Sequence, residues 1–224
     1  LFDTEFDADV ARRREERLAS EALMPLTPGY GETPLPHDEL TALLPEVVEV
    51  LGEPVTRADV YDLEQALQGR IQEEFMSAAI DGSLSLDELL NDHFVRDLHA
   101  RMYGPIWEWA GRWRRVELNI GVAPERIAVE LRESLGTIAY RWEHTDDWAA
   151  HQLGVAVHAE TVRIHPFVDG NGRTTRFLAD LVFAAAQDPA ELEYDWDLDK
   201  PAYIGLLRAY DGHRDVSELA RFVG

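Results

Sequence analysis

His165-Pro166-Phe167-Val168-Asp169-Gly170-Asn171-Gly172-Arg173-Thr174-Thr175-Arg176 gathers a base, a carboxylate, a glycine-flanked turn and two arginines into twelve residues. Gly170 and Gly172 can take positive φ, so the backbone N–H groups of Gly170, Asn171 and Gly172 can turn into one concavity and cradle an anion. A helix opens next: Leu178, Leu181, Val182 and Ala185 recur at helical spacing and define a face for a core. Arg173 and Arg176 fall on the other side of that helix, near its N-terminus, where unpaired N–H groups and the macrodipole already favour phosphate. Two guanidinium forks there can each grip a phosphate bidentately. Asp169 is the candidate ligand for a hard cation such as Mg²⁺, which takes one or two carboxylates together with substrate phosphates. His165 is the candidate general base, since a free imidazole titrates near pH ~6.5 and is largely neutral at neutral pH. Phe167 has no chemistry to offer and reads as the apolar anchor of the loop.

Each piece alone has a plainer reading. A histidine after an apolar helix is more often structural than catalytic, and Asp-Gly-Asn-Gly is commonly just a turn. The combination fixes about nine positions, each met by chance roughly once in twenty, so coincidence does not explain it. No Gly-Lys-Ser/Thr follows the glycines, which excludes a Walker A loop. A zinc centre is disfavoured too, because the chain has no cysteine and the run supplies no third close ligand.

The run resembles, without a gap, the Fic family signature His-Pro-Phe-x-Asp/Glu-Gly-Asn-Gly-Arg-x-x-Arg. The similarity extends from about Thr56 through Val223, and the order of segments resembles the bacterial mobile mystery protein B branch. The resemblance implies a mainly α, Fic-type helical domain with a small β-hairpin flap. It implies a protein adenylyltransferase that moves AMP from ATP, with Mg²⁺, onto a Ser, Thr or Tyr hydroxyl of a target protein. His165 would then be the base, Asp169 the metal ligand, Gly170, Asn171 and Gly172 the anion nest, and Arg173 and Arg176 the holders of the β- and γ-phosphates. In Doc-like kinases of the family a lysine replaces the second motif glycine. Gly172 stands there in this chain, which favours adenylylation over phosphorylation. A different nucleotide donor, and a noncatalytic binding module on the same fold, are the alternatives. A toxin role with an antitoxin protein as partner also belongs to the family's range.

Composition agrees with one folded domain. Hydrophobic residues make up 46% of the 224, with six Trp, enough for a substantial core without disulfides. The 43 acidic against 21 basic residues give a net charge of −22, which opposes nucleic acid as a partner. No apolar run approaches a membrane span, and Leu1-Phe2-Asp3-Thr4-Glu5 lacks the blocks of a signal peptide, so the expectation is a cytoplasmic protein without membrane attachment. Lys200 is the single lysine, a bias of the kind a GC-rich bacterial genome imposes.

Residues 1–35 read as a charged helix, Asp9 to Leu18, followed by a linker from Met24 to Pro36 that holds four of the eleven prolines. Residues 36–224 read as the Fic domain with flanking helices, its core at about 92–187. Thr56-x-x-Asp59 resembles a capping box, and Val60, Leu63, Leu67, Ile71, Phe75 and Ala78 follow as a helical stripe that Gly82 can end. Further helices are expected over Asp92–Tyr103, around Trp107, over Pro124–Trp142 and Asp147–Arg163, with two short ones after Tyr203. Gly111 to Val122 is the strand-and-turn candidate. By resemblance its Val116, Glu117, Leu118, Asn119, Ile120 and Gly121 form a flap whose free edge docks the target backbone. Many Fic proteins also carry an inhibitory Ser/Thr-x-x-x-Glu-Gly/Asn helix, whose glutamate pairs with the second motif arginine. Ser77, Asp81 and Gly82 resemble it with Asp in place of Glu.

Overall fold

The computed structural model describes Arg12, residues 40–187 and residues 193–224, so the charged segment from Asp9 and the Met24–Pro36 linker lie outside the described residues, Arg12 apart. Nine α-helices are described: α1 (Pro45–Leu51), α2 (Arg57–Ile80), α3 (Leu86–Leu89), α4 (Asp92–Tyr103), α5 (Ile127–His144), α6 (Ala150–Ile164), α7 (Asn171–Ala185), α8 (Lys200–His213) and α9 (Ser217–Val223). Among the described residues the only β-pairing is an isolated antiparallel bridge between Leu43 and Trp107. No helix among them is long and apolar enough to cross a membrane.

The described residues divide into two compact units, those up to 71 with 101–110, and those of 72–100 with 111–224. In the first, Leu43, Val47, Leu51, Val60 and Leu63 are buried, as are Met102, Tyr103, Ile106 and Trp107. The Trp107 segment is not helical. Tyr103 ends α4, Gly104 and Pro105 break the periodicity, and the Leu44 N–H donates to the Ile106 carbonyl at 2.9 Å. Trp107 Nε1 donates to Glu64 at 2.7 Å, which satisfies a buried indole and a buried carboxylate together. Thr56 and Asp59 exchange the reciprocal bonds of a capping box, at 2.9 and 3.2 Å.

The second unit is built on α6, buried at Leu153 through Thr161 without interruption. Helix α7 packs along it, α5 lies against another face, and α8 and α9 close it further. The apolar face of α7 is wider than a stripe, since Phe177, Ala179 and Phe183 are buried beside Leu178, Leu181 and Val182. Helix α6 comes close to α7 at Gly154, where an added Cβ would sit 2.8 Å from the Ala179 carbonyl and crowd the Tyr194 hydroxyl.

The segment expected as a hairpin, 111–122, is an irregular loop. The cause is Arg114, a side chain only 2% exposed. It donates from Nη1 to the Val116 carbonyl at 2.9 Å and from Nη2 to the Val122 carbonyl. A guanidinium therefore takes carbonyls at both ends of the loop that a strand ladder would have used.

The two glycines on buried and open helix faces should behave oppositely. Gly154→Ala should lower the unfolding free energy by about 1–3 kcal/mol, because overpacking outweighs the ~1 kcal/mol that alanine gains in a helix. Gly136→Ala, on α5 with nothing within 4 Å of the new methyl, should raise it by up to ~1 kcal/mol. Urea denaturation of both variants checks the contrast.

Candidate active site

Helix α6 stops at Ile164 because His165 turns left-handed, with φ 53° and ψ 64°, and Pro166 cannot continue a helix. The His165 N–H still reaches back to the Thr161 carbonyl at 3.0 Å. Phe167 is fully buried and stacks on the His99 imidazole at 3.6 Å between ring centroids, with Trp113 at 5.2 Å. Asn171 closes the loop. Its side-chain oxygen accepts from the Phe167 N–H at 2.9 Å, and its amide donates to the Phe167 carbonyl at 2.8 Å. The Asn171 side chain thus belongs to the loop's interior, and only its backbone N–H is placed for a ligand.

Gly170, with φ 74°, caps α7. Its N–H donates to the Asp169 carboxylate at 2.7 Å, and the first bond of the helix runs from Thr174 N–H to the Gly170 carbonyl at 3.0 Å. The N–H groups of Asn171, Gly172 and Arg173 lie ahead of that bond, at the positive end of the helix. A cleft of about 240 Å³ opens over them, lined by His165, Val168, Asp169, Gly170, Asn171, Gly172, Arg173 and Arg176. Every motif residue read as functional from the sequence meets in this one space, and Phe167 anchors it from beneath.

Burial, and after it the nearby Arg114 guanidinium, hold His165 below the usual imidazole pKa, against the pull of the Val162 carbonyl and the Asp169 carboxylate. The neutral ring, able to accept a proton, therefore predominates at neutral pH. Arg176 is half-buried, close to the Tyr203 hydroxyl, which shares a hydrogen bond with the fully buried His158. One turn along α7, burial pushes Asp180 up to about 7, although Trp196 Nε1 donates to it at 2.7 Å and the Arg176 cation pulls the other way. Among the described residues no group of three or more His, Asp or Glu is arranged as a metal centre. The exposed Asp169 carboxylate at the rim of a phosphate-type cradle fits Mg²⁺ bound chiefly through a substrate's phosphates.

The loop residues Val116 and Ile120 are 55% and 51% exposed. Gly121, with φ 94°, lies directly on His165: an added Cβ would be 2.7 Å from the His165 Cβ and 2.9 Å from the Ile164 carbonyl. Ser77, Asp81 and Gly82 end α2 and do not line the cleft. Asp81 is exposed, and the Ser83 hydroxyl and then the Ser83 N–H, the latter at 2.9 Å, lower its pKa. Gly82 takes φ 78° just past the helix end.

Sequence reading missed two supports. His99 donates from Nε2 to the Asp169 carbonyl at 3.1 Å while its Nδ1 accepts from the Gly111 N–H at 2.9 Å, and burial holds it neutral with a pKa of about 4. The signal was a lone histidine on the α4 face that also carries Val95 and Met102. Arg114 gave no signal, being one arginine among Arg112, Arg114 and Arg115.

This helical unit places a neutral imidazole beside two arginines at a helix N-terminus, an arrangement that can receive a phosphate group. Residues 89–183 match the Fic/DOC family. The chain is 29% identical over 113 residues to Protein adenylyltransferase fic-1 of Caenorhabditis elegans, covering 47% of this chain and 20% of the relative. It is 27% identical over 134 residues to Protein adenylyltransferase VbhT of Bartonella schoenbuchensis, covering 55% and 25%. The chain thus spans a fifth to a quarter of the length of these curated relatives. Its fold is shared with a Fic domain containing signaling protein from Bacteroides thetaiotaomicron, at a TM-score of 0.55 and 21% identity over 80% of this chain and 69% of that one. The N-terminal Fic domain of a putative cell filamentation protein from Bartonella quintana gives 0.53 at 15% identity, over 76% and 82%.

The raised Asp180 has a signed consequence. Its folded pKa lies above the unfolded value, so the stability it contributes is full below about 3.8 and is lost as pH rises through about 7. Asp180→Asn keeps an acceptor for Trp196 without the charge. The variant should gain stability relative to the parent between pH 5.5 and 8.5, measured by urea denaturation at both.

Proposed function

We propose that this chain is a protein adenylyltransferase, with His165 as base and the α7 N-terminus with Arg173 and Arg176 as phosphate cradle. The observation that carries the reading is the neutral His165 imidazole at the wall of the same cleft that gathers both arginines. A Ser, Thr or Tyr hydroxyl of a target protein attacks the α-phosphorus of ATP while His165 takes its proton. The new O–P bond forms as the bond from the α-phosphorus to the bridging oxygen breaks, and pyrophosphate leaves. The N–H groups of Asn171, Gly172 and Arg173, with the two guanidiniums, offset the charge that develops on the phosphate oxygens, while the Gly170 N–H of the expected nest is taken by the Asp169 carboxylate. Asp169 would hold Mg²⁺, which when bound neutralises phosphate charge.

Gly172 supports adenylyl over phosphoryl transfer, since the kinase branch of the family carries lysine there. The exposed Val116–Gly121 loop beside His165 is the proposed docking edge for the target. Residues 36–224 are the proposed domain, with 1–35 as an extension. A toxin role belongs to the proposal, with control by an antitoxin chain, by Asp81 or a nearby Glu73 or Glu74, or by no inhibitor; Asp81 itself does not line the cleft.

Incubation with Mg²⁺ and ATP labelled at the α- or the γ-phosphate, in the presence of bacterial lysate, separates the reactions. Label from the α-phosphate alone is expected on protein, and label from the γ-phosphate would make the protein a kinase. His165→Ala should cut transfer by about 10²–10⁴-fold with ATP binding retained. Arg176→Ala should instead weaken ATP binding by roughly 10–100-fold, the value of a charged hydrogen bond. Calorimetry with a nonhydrolysable ATP analogue reads the second effect.

A further inference from the structure

Arg114 is buried, yet each hydrogen bond its side chain makes to a described residue ends on a backbone carbonyl. Nε donates to His165 at 2.7 Å, Nη1 to Val116 at 2.9 Å, and Nη2 to Val122 and, at 3.5 Å, to Ile164. Its own N–H donates to the Pro166 carbonyl at 2.9 Å. These carbonyls belong to two segments: the two ends of the 116–122 loop, and the last residues of α6 with the turn beyond it. The Val122 N–H adds a direct link to the Ile164 carbonyl at 3.2 Å. Gly121 is pressed into the same junction, where an added Cβ would meet Arg114 Nη2 at 2.6 Å. His165 meanwhile holds a left-handed backbone that a non-glycine residue keeps only where its surroundings dictate it.

We propose that Arg114 is a positioning residue that holds the 116–122 loop and the His165 turn in one register, so that a hydroxyl delivered along the loop meets the imidazole. The planar fork suits this task. A guanidinium can serve several carbonyls at fixed angles, whereas an ammonium keeps the charge and loses that geometry. The phosphate cradle stands on α7 and on the Asn171 closure, neither of which bonds to the Arg114 side chain. Loss of the clamp should therefore reach the transfer step and spare nucleotide binding. The rate part of this inference rests on the adenylyl-transfer reading.

The test compares Arg114→Lys with the parent chain by hydrogen exchange, by calorimetry with a nonhydrolysable ATP analogue, and by α-labelled transfer. Exchange at the Val122 and His165 amides should quicken while the amides of α7 hold. Affinity for the analogue should stay within about threefold, and kcat should fall about 10²-fold, the cost of an ångström-scale misplacement. Unchanged exchange at Val122, or equal losses of affinity and kcat, would overturn the proposal. Should the lysine variant fail to fold, Gly121→Ala disturbs the same junction with the guanidinium intact and should give the same split between binding and rate. If the parent binds the analogue but transfers nothing, adenylyl transfer is wrong, and exchange at Val122 still decides the role of Arg114.

Discussion

The corner between α6 and α7 constrains everything else, because both helices are buried on most sides and only residues 165–170 join them. A buried corner must satisfy its own backbone. His165 N–H goes to Thr161, its carbonyl to Arg114, and the Pro166 carbonyl to the Arg114 N–H. Asn171 takes both backbone groups of Phe167, His99 takes the Asp169 carbonyl, and Thr174 takes the Gly170 carbonyl through N–H and hydroxyl alike. Several signature residues are therefore required by the corner before any ligand is considered. Proline stops the helix without demanding an acceptor, asparagine mimics a turn, and glycine permits the left-handed cap.

What the corner leaves over faces the cleft. With Asn171 turned inward, the outward groups are an imidazole, a carboxylate, two guanidiniums and the leading N–H groups of α7. This small cationic patch sits in a chain of net charge −22. The two facts are compatible because charges farther than about 8–10 Å are largely screened at physiological salt, so an anion at the cleft responds mainly to its immediate neighbours. The overall charge then discourages polyanions, which cover many surface sites at once, more than it discourages a compact phosphate group.

How far the sequence revealed this depends on the kind of interaction. Helix α7 was legible because Leu178, Leu181 and Val182 repeat at 3.6-residue spacing, and the start of α2 because Thr56 and Asp59 stand three apart. The cleft was legible because its functional groups are consecutive in the chain. The hairpin was misread for a physical reason. Val116, Leu118 and Ile120 alternate as a strand would, but alternation records which faces are apolar and not where the carbonyls bond, and here a buried arginine outside the pattern takes them. The helix expected at Trp107 fails because Gly104-Pro105 break the helix there. His99 and Arg114 act across 70 and 51 residues of chain, and no local window reports on such partners.

Burial depth separates the histidines of the second unit by what they can do. His99 and His158 are fully buried and held near 4 and 3, so they remain neutral hydrogen-bonding parts over any physiological range. A base must also exchange its proton with a ligand, which such depth forbids. His165 keeps part of its ring at the cleft and is shifted in the same direction by burial and by the Arg114 cation. Arg114 thus acts on His165 twice, through the carbonyl that fixes the turn and through the charge that disfavours imidazolium. Both effects require the guanidinium to stay dry and fully bonded to carbonyls, since water around it would screen the charge and loosen the turn together.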